Sequence, residues 1–148
     1  MTTIYFDMDG TLFNLYSVSN WLEKLRSFDP SPYIQAAPML DMRLLAYYLN
    51  RLQEQGNKIG IISWLSAQST KNYDELVRIR KQRSLNKHLH SVQWDEIHMI
   101  KYGYPKHYAA KDKNGILFDD NEGVRKAWTG IAYSEKEILS ILKGLLVT

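Results

Sequence analysis

Five short runs rich in Ile, Phe and Tyr, alternating with segments of helical character, constrain this chain more than any other feature. They are Thr3 to Asp7, Lys58 to Ser63, Glu96 to Ile100, Gly115 to Asp119 and Thr129 to Tyr133. Strands that alternate with helices are joined in parallel by crossovers, and the crossover helices cover the faces of the sheet. The expected fold is therefore α/β, a Rossmann-like parallel sheet of about five strands with helices on both faces. At 148 residues and 45% apolar content, the chain suits a single domain over 1–148 and leaves little room for a second core.

The connecting segments carry helix signals of their own. From about Leu40 to Gln55, Leu45, Leu49 and Leu52 recur at helical spacing, and Gly56 stands where such a helix ends. A more basic helix is expected from about Ser69 to His88, and a short one from near Lys106. The last helix is marked by Ser134 and Glu137 in a capping-box pattern, followed by the stripe Ile138, Leu142 and Leu145. Leu12 to Pro38 stands apart, because it carries Phe13, Tyr16, Trp21, Phe28 and Tyr33 between the first strand and the first long helix. It reads as an inserted flap or minimal cap, with a helical turn or two over Asn20 to Ser27 and a break at Asp29-Pro30-Ser31-Pro32.

Composition narrows the chemistry. With no cysteine, disulfides and thiolate metal sites are excluded, so a tightly bound metal needs oxygen or histidine ligands. His88, His90, His98 and His107 lack zinc-like spacing and read as surface or structural residues. No apolar run approaches the ~18 residues of a membrane span and no secretory leader is evident, so the expectation is a cytoplasmic protein without a membrane partner. The net charge of +3 is concentrated in Lys71, Arg78, Arg80, Lys81, Arg83 and Lys87, which read as a solvated helix face. Substrate steering or nucleic-acid contact is the lesser reading of that run, and the oligomeric state is left open.

In open parallel sheets, ligands bind beyond the carboxyl ends of the strands. The first strand here ends in Asp7-Met8-Asp9-Gly10-Thr11, the second in Ser63, and the fourth in Asp119-Asp120. The third leads through a Gly-Tyr-Pro turn to Lys106, with Lys111 as second choice for a lysine at this rim. Carboxylates gathered at one point repel one another unless a cation neutralises them, and Mg²⁺ prefers such oxygen ligands.

In this order the motifs resemble those of the haloacid dehalogenase superfamily of phosphohydrolases, over nearly the whole chain. The DxDGT motif is Asp7 to Thr11, the strand-terminal hydroxyl Ser63, the lysine Lys106 and the acidic pair Asp119-Asp120. The resemblance implies an Mg²⁺-dependent phosphatase in which Asp7 attacks phosphorus and becomes an aspartyl-phosphate, while Asp9 moves the protons. It also implies that the Asp7 carboxylate, the Asp9 backbone carbonyl and Asp119 hold the metal, with Asp120 steadying its water shell. Which of the acidic pair touches the ion is open at this point. Ser63 and Lys106 would bind the transferring group, Gly10 would let the loop turn sharply beside the phosphate, and Thr11 would fix the loop.

Alone, Asp-x-Asp-Gly is as compatible with a solvated turn as with a site; its partners at the other strand ends decide for the site. Both positions where the superfamily inserts cap domains are short here, so the chain reads as capless or minimally capped. The expected substrate is a phosphorylated small molecule, with a nucleotide weakly preferred because the rim is open, basic and flanked by aromatic residues. Two alternatives stand beside hydrolysis: a phosphotransferase of the same superfamily, or a phospho-acceptor or binding domain without turnover.

Overall fold

The computed structural model describes residues 1–147. Strand β1 (Thr3–Phe6) leads into the Leu12 to Pro38 segment, which contains two short helices, α1 (Trp21–Arg26) and α2 (Pro32–Gln35). The remainder alternates: α3 (Met42–Glu54), β2 (Lys58–Trp64), α4 (Lys71–His88), β3 (Glu96–Ile100), α5 (Lys106–Ala109), β4 (Ile116–Phe118), α6 (Glu122–Ala127), β5 (Ile131–Tyr133) and α7 (Ile138–Leu145). The five strands form one parallel sheet in the order β3-β2-β1-β4-β5. Every strand predicted from the sequence is present, with ends shifted by at most two residues.

Strand alternation decides which layer each helix covers. Ile4, Phe6, Ile59, Ile61 and Phe118 belong to one core with Leu45, Leu49 and Leu52 of α3, Val77 and Leu85 of α4, and Ile138 and Leu142 of α7. Tyr5, Ile62 and Leu117 point the other way and pack with Ala110, Trp128 and residues of α5 and α6. The helix ends are held by side chains where the sequence offers them. Asp41 accepts from the backbone N–H groups of Arg43 and Leu44, Thr70 accepts from that of Tyr73, and the Ser134–Glu137 capping box is formed.

The flap is anchored at both ends. Met39 donates its N–H to Leu12 and Asn14 donates to Ala37, both backbone to backbone, so the segment leaves and rejoins the fold at one place. The break at Asp29 to Pro32 separates α1 from α2, and Pro32 then opens α2 at a position where its missing N–H costs nothing. The flap lies on α4: the Tyr73 hydroxyl donates to the Asp29 carbonyl and the Ser84 hydroxyl to the Tyr33 carbonyl, each at 2.9 Å. Among the described residues, no helix is long and apolar enough to cross a membrane.

Candidate active site

The loop after β1 is wound tightly around a single carbonyl. Met8 O accepts from the N–H groups of Thr11, Leu12 and Phe13 at 3.2, 2.9 and 3.0 Å. Gly10 sits at φ +82°, where an L side chain is strained, and a Cβ there would fall on the Asp120 carboxylate and 2.8 Å from the Tyr16 ring. The glycine thus answers both to the turn and to the closeness of the acidic pair. Thr11 is buried and joins two loops: its hydroxyl donates to Asp7 Oδ2 at 3.0 Å and accepts from the Asp120 N–H at 3.1 Å.

Asp7 and Asp119 follow the parity of Tyr5 and Leu117, toward the face covered by α5. Lys106, the first residue of α5, meets them there, with Nζ 2.9 Å from Asp7 Oδ1 and 2.6 Å from Asp119 Oδ2. Burial alone would push the Lys106 ammonium down, but the two carboxylates outweigh it and hold the group above its ordinary value. Asp119 also accepts from the Asn121 N–H through Oδ1 at 3.0 Å, so both of its oxygens are engaged. Asp120 completes the cluster: ligand atoms of Asp7, Asp119 and Asp120 all lie within 4.8 Å of one another.

One ammonium does not balance three carboxylates. Burial, and then the Asp7 carboxylate, push Asp119 up to about 6 and Asp120 up to about 8. Such a cluster fits a divalent cation on chemical grounds, because the donors are all hard oxygens, converge on one point and carry excess negative charge. Asp7, Asp119 and Asp120 are the side chains that would hold it.

Asp9 belongs to a different arrangement. Its Oδ2 lies 2.7 Å from the Nζ of Lys81, and the same ammonium donates to Ser63 Oγ and to the Trp64 carbonyl, also at 2.7 Å. Ser63 follows the parity of Ile59 and Ile61, so it faces α4, which carries Lys81. Tyr33 of the flap presents its ring face to Nζ at 5.1 Å from the centroid. Burial raises the Asp9 carboxyl above its ordinary value, with Lys81 pulling in the opposite direction.

The sequence reading placed Lys81 on a solvated basic face, and this is corrected by the structure: the residue is 1% exposed. Moving an ion out of water costs several kcal/mol, so a buried lysine requires partners, and Lys81 has three. Its position was readable in principle. Tyr73, Val77, Lys81 and Leu85 form an i, i+4 row along α4, and a cation in a row of buried side chains is the anomaly that marks it. Arg78, Arg83 and Lys87 are exposed, as expected.

Both arrangements open into one cavity of about 350 Å³. Asp7, Asp9, Lys106, Asp119 and Asp120 line one side, and the walls include Tyr16, Trp21, Leu22 and Leu25 of the flap with Trp64 and Tyr102. Tyr16 and Trp21 meet edge to face at 5.0 Å, and Trp64 packs on Tyr102 at the same distance. The flap therefore forms a wall of the site. Of the residues predicted from the strand ends, Asp7, Asp119 and Asp120 cluster together, Lys106 pairs with the first two, Thr11 and Gly10 shape their loop, and Asp9 and Ser63 meet through Lys81. Ser63 is wholly buried, with its oxygen accepting from that lysine.

No protein-family model matches the sequence, and no curated protein matches it. Solved structures do. D,D-heptose 1,7-bisphosphate phosphatase from Burkholderia thailandensis is 8% identical over the whole of both chains, with a TM-score of 0.54. The enzyme of the same name from B. bronchiseptica, solved with magnesium and phosphate, is 14% identical over 99% of this chain and 89% of its own, with a TM-score of 0.55. At such identities the likeness is one of fold: this chain has the Rossmann-like architecture of those phosphatases and carries an aspartate cluster at the end of its central strands.

Proposed function

We propose that the protein is an Mg²⁺-dependent phosphomonoesterase in which Asp7 is the nucleophile and Asp9 the general acid and base. The observation that carries this reading is the separation of the acids. Three carboxylates converge with Lys106 at the carboxyl ends of β1 and β4, while the fourth, two residues from the nucleophile, is held apart on its own lysine.

Lys106 and Thr11 fix the two oxygens of Asp7, so the carboxylate is presented in one orientation to a phosphoryl group in the cavity. Attack joins a carboxylate oxygen of Asp7 to phosphorus as an acyl phosphate and breaks the bond from phosphorus to the leaving oxygen, which takes a proton from Asp9. Asp9, now ionised, accepts a proton from a water molecule. That water attacks phosphorus, releasing inorganic phosphate, free Asp7 and a reprotonated Asp9. Lys106 offsets negative charge on Asp7 and on the transferring group throughout. When bound, Mg²⁺ supplies the remaining charge neutralisation that three clustered acids and a phosphate require.

The cavity walls favour a leaving group with flat apolar faces, such as an aryl group or a nucleobase carried by its sugar, over a bare polyol. Hydrolysis of p-nitrophenyl phosphate, with and without Mg²⁺, tests the central claim. Turnover should require the cation and fall by at least about 10⁴-fold in Asp7→Asn. Activity that survives this substitution would end the proposal.

A further inference from the structure

We infer that Lys81 is a positioning residue for Asp9: it fixes one carboxylate oxygen against Ser63 and the Trp64 carbonyl, leaving the other available to the departing group in the cavity. The inference rests on the roles of Asp7 and Asp9 proposed above.

Three observations support it. An ammonium has three N–H donors, and all three of Lys81 are used, on Asp9 Oδ2, Ser63 Oγ and Trp64 O at 2.7 Å each. The contacts come from two segments, the loop after β1 and the last two residues of β2, so the ammonium is held between them and Asp9 is fixed through one oxygen. Asp9 lines the cavity while Lys81, on the eleventh residue of an 18-residue helix, does not, so the lysine acts from behind.

Stability gives no reason for a lysine here. A methionine or leucine in the row Tyr73, Val77, Leu85 would fill similar volume without desolvating a charge, and such replacements of buried ion pairs are commonly neutral or favourable. The lysine does something an apolar side chain would not. It draws Asp9 away from the Asp7, Asp119 and Asp120 cluster, reserving three acids for a cation and one for proton transfer. A general acid has to lie within hydrogen-bond reach of its proton's destination, and an Asp side chain free to rotate toward a cation would not.

The test compares leaving groups through kcat/KM, which reports the steps up to departure of the leaving group. p-Nitrophenolate leaves readily without a proton, whereas the alkoxide of glycerol phosphate does not. In Lys81→Met, kcat/KM for glycerol phosphate should fall about 10²-fold or more, and that for p-nitrophenyl phosphate less than about tenfold. In an Asp9→Asn background, Lys81→Met should add little further loss, because both changes remove the same contribution. Should Lys81→Met fail to reach the wild-type circular dichroism, Lys81→Gln is read by the same ratio, with a smaller shift expected in the same direction. An equal fall for both substrates, or full additivity with Asp9→Asn, overturns this inference while leaving the phosphatase reading intact. Wild-type turnover that survives Asp7→Asn overturns that reading and this inference with it.

Discussion

Two buried lysines arrive at the same sheet edge from opposite layers, one on α5 and one on α4, and they engage different acids. Lys106 sits between Asp7 and Asp119 in a cluster with surplus negative charge; Lys81 holds Asp9 beside a hydroxyl and a carbonyl. The first surrounding is left short of positive charge, and the second is saturated around its ammonium. Under the proposed mechanism, the first half gathers the cation and the phosphate while the second keeps the proton carrier apart from them.

The comparison is open to experiment. Its largest consequence concerns Lys106→Met, which should lower kcat/KM by about 10²–10³-fold. In the proposed mechanism Lys106 serves the nucleophile and the transferring group, so the loss should be of similar size for aryl and alkyl phosphates. Steady-state kinetics on both would show this, and a strong dependence on the leaving group would erase the distinction between the two lysines.

A second consequence concerns pH. Asp119 and Asp120 bind protons more tightly in the folded protein, at about 6 and about 8, than in the unfolded chain, near 4. Their contribution to stability is complete below the unfolded value and is lost as pH rises through the folded ones. Metal-free protein should therefore melt at a lower temperature at pH 8 than at pH 5. Millimolar Mg²⁺, which takes the ionised form, should restore the loss at pH 8 and do little at pH 5. Lys81→Met should leave this response to Mg²⁺ in place; thermal denaturation across pH checks both statements.

The smallest effect belongs to the wall. Trp21→Ala should raise KM for p-nitrophenyl phosphate several-fold, up to about tenfold, through lost aromatic contact, with kcat little changed. A panel that includes a sugar phosphate would sharpen the point, since its KM should move less. Identical shifts for both substrates would mean that the flap does not read the leaving group.

The sheet and one half of the site were legible in the sequence because their signals are local. Each strand is a short apolar run, and Asp7, Asp9, Asp119 and Asp120 lie at or just beyond strand ends, where chemistry in such sheets is found. Lys106 was found in the same way, at the start of a helix after a turn. Lys81 was hidden by its company: five neighbouring cations along the same stretch are solvated or partly so, and charge composition does not distinguish the sixth. Burial on a helix is set by tertiary packing, here by α4 lying on the sheet with the flap over it, and only the spacing from Tyr73 to Leu85 hints at that. The helix α6 escaped notice for the opposite reason. Its six residues bury none of their number, so no apolar stripe announces them.

The hydroxyls of Tyr73 and Ser84, which tether the flap, belong to the same rod that carries Lys81. Widening the mouth of the cavity by lifting α2 would strain or break tethers within eight residues of that ammonium, on both sides of it. Admission of a bulky ligand and alignment of Asp9 therefore draw on one mechanical element. A swing of the flap is not free of consequence for the chemistry beneath it.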